Sequence, residues 1–403
     1  MNGATYYNLR RSTNPNSGYT SVAACSGLAN IKNTNTTGAM RACRDGGLIV
    51  GTFYYYQVQA CYSNGCSGFS ASASNVPVAS NCTAAQMPSM SGVKTLPPIR
   101  LLSSVVDPAI QFLPNDDQFA AYAALSVPRR NLLLVTLPGS GGKCGRGPFS
   151  NTAQNLGFDW ICVNYSNRYA QDSICAGAPD CYGNVSQAKE DATGLCSIPG
   201  QSQCGRDPTT GQPYYLNNPA DAVTQRISMM LQYLNTQGYN QNGTNWGNYL
   251  SGTTPLWQNI VLAGFSQGGS MSTFTAYKQV VARAINLSAP PTATLVNGAE
   301  VAATYLTSPK ATDIRSIYGF VSVDDWYYRQ GIYSAVWQAL GFTEANNDAE
   351  EKLNTSIPIG LNCNSGIPSH NLSTSAPPGP DGNGHDATLF LWNEDIYKFM
   401  LID

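Results

Sequence analysis

The sequence predicts an α/β protein: a mostly parallel central sheet flanked by helices, preceded by a small all-β, sandwich-like module. Three observations carry that expectation. From about residue 98 onward, apolar strand-like runs alternate with helical patterns, as βαβ units require. Residues 1–80 read instead as strands of period 2. At 403 residues the chain exceeds one ordinary domain, and 42% hydrophobic residues are enough to bury a large core.

In the first 80 residues, Leu48-Ile49-Val50-Gly51-Thr52-Phe53-Tyr54-Tyr55-Tyr56-Gln57-Val58-Gln59-Ala60 is rich in β-branched and aromatic residues. Tyr54, Tyr56, Val58 and Ala60 share one face of the predicted strand. The order Leu48, Gly51, Thr52, Tyr54, Tyr56, Val58, Ala60, followed by Gly65-Cys66-Ser67-Gly68-Phe69-Ser70, resembles the fibronectin type III module. Val50 stands where that family commonly has proline. The opening Tyr6-Tyr7-Asn8-Leu9-Arg10-Arg11 is similar to a mid-domain strand of that family, which implies a module without its first two strands.

Residues 81–97, rich in Ser, Pro, Met and small side chains, are expected to be a linker to the larger domain at 98–403. In that domain, residues 131–137 form a continuous apolar run that stops at Pro138-Gly139-Ser140-Gly141-Gly142. Residues 160–163, 259–263 and 314–323 read as further strands. Val223, Ile227, Met230, Leu231 and Leu234 recur at helical spacing, so 220–235 reads as a helix with Pro219 at its start. Residues 270–284 and 388–401 are also expected to be helical. A Cys-rich insertion at about 166–218 holds Cys175, Cys181, Cys196 and Cys204. It reads either as a disulfide-pinned lid or as a surface loop.

Composition excludes several classes. A formal net charge of -2 and no basic run argue against nucleic acid or an anionic membrane as partner. No apolar run is long enough to span a bilayer. Twelve cysteines in Gly/Ser/Asn-rich stretches read as disulfides, because two histidines and no paired C-x-x-C spacing make zinc a poor fit. Disulfides imply an oxidising compartment, so an exported protein without its leader is expected. Five cysteines (Cys25, Cys43, Cys61, Cys66, Cys82) precede the larger domain and seven lie within it. If all pair internally, at least one bridge must cross, with Cys82 as its expected donor. Cys61 with Cys66 across a short turn would leave Cys25 with Cys43, although connectivity stays open at this level.

Gly264-Phe265-Ser266-Gln267-Gly268 matches G-x-S-x-G between an apolar strand and a helix with small residues. There a sharp, strained turn would lift the serine hydroxyl out at the strand end, as a nucleophile requires. Such a hydroxyl needs a base. Only His370 and His385 exist, and both lie downstream. An acid that orients the base is expected at the end of the strand 314–323, where Asp324-Asp325-Trp326 stands. Oxyanion donors are expected from the backbone amides of Gln267 and of Ser140 in the glycine turn. That turn lacks the Lys-Ser/Thr ending of a phosphate-binding loop, since Lys143 precedes Cys144.

Oxyanion turn, elbow, acid and histidine, in that order, resemble the α/β-hydrolase family over about residues 98–403. The form Gly264-Phe265-Ser266-Gln267-Gly268-Gly269 is similar to that of carboxylesterases and lysophospholipase-like enzymes. The resemblance implies His385, in its Gly/Asn loop before the last helix, as the base. It implies Asp325 as the acid, with Ser322 at the family's glycine position, and Asp324 as the alternative. It further implies ester cleavage through an acyl-enzyme with no cofactor or metal. A polymeric ester is the second substrate expectation, motivated by the fibronectin-like module and by Trp326-Tyr327-Tyr328, with Trp326 as a candidate contact, although these aromatics could equally be core. A non-catalytic adhesion protein on the same scaffold is the third.

Overall fold

Leu133, Val135 and Leu137 turn to one face of a sheet and Leu134 to the other, and the two sets join two different apolar clusters. The same alternation separates Ile260 and Leu262 from Val261 and Ala263. Strands apolar on both faces must be covered on both, which selects a sheet sandwiched by helices. A fully buried Leu or Ile contributes roughly 1.5–3 kcal/mol, so this alternation anchors the core.

The computed structural model describes residues 6–14, 16–22, 54–75, 96–175, 178–193, 218–322, 325–329, 332–341, 371–374, 384–389 and 394–402. The chain divides into two compact units, one built on Met1–Cys82 and one on Thr83–Leu361 with Ile367–Asp403. The smaller unit is an antiparallel sheet of β1 (Tyr6–Ser12), β2 (Thr20–Ser21), β3 (Tyr54–Tyr62), β4 (Gly65–Cys66) and β5 (Ala73–Asn75). Cys61 and Cys66 form a disulfide across its β3–β4 turn, the expected pair. Tyr54 and Ala60 are buried, but Val58 on the same face is 38% exposed, so burial does not run the length of that face. Cys25, Cys43 and Cys82 lie outside the described residues.

The larger unit carries β6 (Ile99–Leu102), β7 (Asp117–Ala121), β8 (Leu133–Leu137) and β9 (Asp159–Cys162). A small hairpin, β10 (Leu250–Ser251) with β11 (Thr254–Pro255), precedes β12 (Ile260–Phe265) and β13 (Arg283–Leu287). A second hairpin, β14 (Ala293–Val296) with β15 (Ala299–Ala302), precedes β16 (Ile317–Ser322) and β17 (Asn371–Thr374). The eight-stranded mixed sheet has the order β17-β16-β13-β12-β8-β9-β7-β6. Its six central and C-terminal strands are parallel, and β6 and β7 join antiparallel at one edge.

Of the helices, α1 (Ser103–Val106), α2 (Pro148–Asn155), α3 (Gln171–Cys175) and α4 (Cys181–Asp191) come before α5 (Val223–Thr236). Then follow α6 (Gln267–Lys278), α7 (Trp326–Arg329), α8 (Ile332–Leu340) and the C-terminal helix Glu394–Ile402. Apolar residues of α4, α5, α6 and α8 cover one face of the sheet. Those of α2 and the C-terminal helix cover the other. From β8 the chain runs to β9 on one side and later returns with β12 on the other. That reversal opens a crevice outside the carboxyl ends of β8 and β12, where ligands bind in sheets of this kind.

Several expected bounds shift for physical reasons. Pro219 opens a 3-10 turn, Pro219–Asp221, and α5 begins only at Val223. The predicted helix 270–284 starts at Gln267 and ends at Lys278, and Arg283–Leu287 is strand β13. The C-terminal helical stretch is split into a 3-10 turn, Gly384–Leu389, and the helix Glu394–Ile402. The first half of the Cys-rich insertion carries α3 and α4, with Tyr182 and Val185 in the core and a Cys175–Cys181 disulfide. It is therefore helical structure packed on the sheet. Cys196 and Cys204 lie outside the described residues.

One polar knot fixes the start of α5. Asp221 and Arg226 are both fully buried and paired at 2.6 Å. Asp221 also accepts from the backbone N–H groups of Gln111 and Phe112 and from Asn218. Removing one member strands the other charge away from water, so Asp221→Ala is expected to cost about 3–5 kcal/mol in chemical denaturation. A loss below about 1 kcal/mol would mean that water reaches Arg226.

Candidate active site

Ser266 sits between β12 and α6 with φ 53° and ψ -120°. A non-glycine residue at positive φ costs on the order of 1–3 kcal/mol and must be held there by its surroundings. Here the Ser266 N–H donates to the Leu287 carbonyl at 2.9 Å, and its own carbonyl accepts from Gly269 at 2.9 Å and Ser270 at 3.1 Å. The turn is so tight that a Cβ on Gly264 would enter the backbone of Gly268, and one on Gly268 would enter the Leu137 carbonyl. This explains the two glycines of the motif in terms of space. Replacing either with alanine would push β12, α6 or β8 apart.

His385 lies in the 3-10 turn Gly384–Leu389, and its ring centroid is 4.9 Å from that of Phe265, the neighbour of Ser266. Its Nδ1 is 2.6 Å from Oδ2 of Asp325, just beyond the end of β16. Asp325 is fully buried, and Asp324 lies outside the described residues, as does His370. The other partners of Asp325 hold its carboxylate still. Oδ1 accepts from the Tyr327 N–H at 2.9 Å, and Oδ2 accepts from the Tyr333 hydroxyl at 3.0 Å. Burial and the adjacent Asp325 charge push the Tyr333 phenol well above its ordinary value, so it remains a donor. With Nδ1–H directed at a carboxylate, the basic nitrogen of His385 is Nε2.

A second set of groups fixes the histidine turn. The Ser288 hydroxyl donates to the His385 carbonyl at 2.5 Å and is 2.8 Å from the Thr388 hydroxyl. The Ser288 carbonyl lies 2.7 Å from the Tyr333 hydroxyl. Sequence reading missed Ser288 and Tyr333. Neither belongs to a motif, and their spacing of 45 residues carries no periodic signal.

On the other side of Ser266, Gln267 is the first residue of α6, so its N–H has no acceptor within the helix and lies at the positive end of the helix dipole. In the glycine turn after β8, Gly141 donates to Asn167 and Gly142 to Gly139. The Cys144–Cys162 disulfide ties the far side of the turn to β9. The Gln267 side chain joins the halves: Nε2 donates to the Ser140 hydroxyl at 3.1 Å and to the Asn167 carbonyl at 3.2 Å. Its Oε1 accepts from Lys189 of α4. Lys189 is fully enclosed, and burial lowers its pKa to about 7.

Glu190, next in α4, accepts from Thr224 at 3.0 Å and Thr275 at 2.7 Å, and burial raises its pKa to about 7. The folded chain therefore keeps this proton up to about pH 7, whereas the unfolded chain releases it near 4.5. Stability from this group is present in full below pH 4.5 and is lost as the pH rises through 7. Glu190→Gln should remove that loss. Its melting temperature relative to wild type is expected to be several degrees higher at pH 8 than at pH 5. An equal difference at both pH values would refute the buried-carboxyl account.

A small cleft adjoins Ser266. Ser140, Gln171, Asp172, Gln267, Ser270 and Tyr327 are among the residues that line it. The Tyr327 hydroxyl donates to Asp172 at 2.7 Å, joining α7 to α3. Trp326 is 47% exposed and its ring lies 4.4 Å from that of Tyr327. Ser266, His385, Asp325, Gln267 and Ser140 thus gather around one end of the sheet, with Trp326 outside the cleft lining. The arrangement combines a presented hydroxyl, an imidazole oriented by a carboxylate, and backbone donors at a helix start. No protein-family model matches the chain, and no curated protein matches it.

Proposed function

We propose that the chain is a serine hydrolase of the α/β-hydrolase type that cleaves carboxylic ester bonds and works outside the cytoplasm. The observation that carries this reading is the 2.6 Å bond from His385 Nδ1 to the fully buried Asp325, beside the Ser266 elbow. The Ser266 hydroxyl oxygen attacks the ester carbonyl carbon while His385 Nε2 takes its proton. The oxyanion is held by the amides of Gln267 and Ser140. Collapse of the intermediate expels the alcohol, which receives the proton from His385 and leaves the acyl group on Ser266. Water then attacks the acyl-enzyme, again giving a proton to His385, and the acid departs as Ser266 recovers its hydrogen. Compartment is argued from the three disulfides among the described residues. Among the described residues, no helix is long and apolar enough to cross a membrane.

A fluorophosphonate probe tests the reading directly. Wild type should be labelled at Ser266, and His385→Ala should be labelled at least a hundredfold more slowly. Absence of label on folded wild type would favour the non-catalytic adhesion scaffold. A polymeric ester remains the second substrate reading, favoured by the exposed Trp326 beside Tyr327 of the cleft. Loss of activity on an insoluble polyester in Trp326→Ala, with soluble-ester turnover retained, would support it.

A further inference from the structure

Two polar atoms in residues lining the cleft have no protein partner. Gln171, 4% exposed, donates Nε2 to the Ser186 hydroxyl at 2.8 Å and approaches the Met271 sulfur at 3.9 Å, but its Oε1 has no partner. Exchanging the amide oxygen and nitrogen would make the unpartnered atom a donor and leave it equally unsatisfied. Ser270, 1% exposed, has an unpartnered hydroxyl. Two other helical serines return that bond to the carbonyl four residues back: Ser272 to Gly268 at 3.1 Å and Ser228 to Thr224 at 2.8 Å. Leaving a buried polar group unsatisfied costs about 1–3 kcal/mol, so two beside one nucleophile call for a ligand that completes them.

We propose that Gln171 and Ser270 recognise a hydroxyl on the acyl part of the substrate, so the preferred substrates are esters of short hydroxy acids. This assignment rests on the ester-hydrolase reading of Ser266. A hydroxyl donates and accepts, and so satisfies Ser270 and either end of the Gln171 amide. A second carboxylate on the acyl chain would meet Asp172, which lines the same cleft. An ammonium beside Gln171 and Ser270 would lose its hydration to neutral partners alone. Ser270 is one turn of α6 beyond Ser266, about 6 Å along the helix axis, so an acyl chain of about four carbons reaches it.

The test compares 4-nitrophenyl 3-hydroxybutanoate with 4-nitrophenyl butanoate, which differ by one hydroxyl, each corrected for its rate with hydroxide. The full chain is expected to prefer the hydroxy ester at least tenfold in kcat/KM. Ser270→Ala and Gln171→Leu should each bring that ratio towards one. Because Ser270→Ala deletes a hydroxyl with no protein partner, its melting temperature should match or exceed that of wild type, which separates lost recognition from lost structure. Equal kcat/KM for the two esters in wild type, or a ratio unchanged in both variants, overturns the assignment. The fluorophosphonate probe distinguishes the two failures. A chain that labels at Ser266 yet ignores the hydroxyl loses only the acyl assignment, and one that neither labels nor cleaves either ester loses the hydrolase reading as well.

Discussion

Ser266→Ala is expected to lower kcat/KM on short 4-nitrophenyl esters by about 10³- to 10⁶-fold. The acyl-enzyme route needs an oxygen at this position and no neighbour can replace it, since the sharp turn presents one side chain. Residual turnover should survive, because backbone donors and the cleft still hold the oxyanion of a direct water attack. Stability should change little. Alanine carries the same Cβ as serine, so the strain at φ 53° is the same, and the backbone bonds to Leu287, Gly269 and Ser270 do not involve the hydroxyl. Melting temperature and steady-state kinetics on one preparation check both halves of the claim. Turnover within tenfold of wild type would falsify Ser266 as nucleophile.

Which parts were legible in the sequence follows from where the information sits. Strands β8 and β12 are apolar at successive positions because both faces are covered, and that run is visible without a structure. Strand β13 was hidden: Arg283-Ala284-Ile285-Asn286-Leu287 carries a charged and an amide residue, and it continues a helical pattern. The amide is not idle, since Asn286 accepts from Thr273 and donates to the Tyr318 carbonyl inside the sheet. Helix α4 was hidden for a similar reason. It buries Lys189 and Glu190, residue types that are almost never fully buried unless paired. The antiparallel strands β6, at the sheet edge, and β7 beside it are short and carry Arg100 and Asp117, which pair with each other across the ladder.

At the site, glycine spacing and chain order exposed the elbow, the glycine turn and the acid–histidine pair. The supporting residues could not be read this way. Tyr333, Ser288, Gln171 and Ser270 act through contacts between segments far apart in the chain, and each is an ordinary residue in its own stretch. Buried polar atoms without partners are visible only once the packing is known. The acyl preference inferred from Gln171 and Ser270 therefore has no counterpart in the sequence reading, which stopped at an ester carbonyl.

Asp325→Asn is expected to lower kcat by about 10³- to 10⁴-fold with a much smaller change in KM. The acid touches His385 and not the substrate, so ground-state binding should survive its loss. Two effects combine. The carboxylate stabilises the imidazolium that forms as Ser266 loses its proton, and a neutral amide does not. An asparagine must also divide its atoms among three neighbours. The Tyr327 N–H donates to Oδ1, so the amide oxygen is drawn to that place and the amide NH₂ takes the place of Oδ2, facing His385 Nδ1, while the Tyr333 hydroxyl keeps the Ser288 carbonyl as its acceptor. That donor forces the proton onto Nε2, the wrong tautomer for a base. Tyr333→Phe should cost far less, about tenfold, because the carboxylate keeps the Tyr327 bond and its charge. Asp324→Asn supplies the decisive comparison: it should remain within a few-fold of wild type. A collapse at Asp324 with near-normal turnover in Asp325→Asn would move the acid by one residue and void the geometric argument for His385.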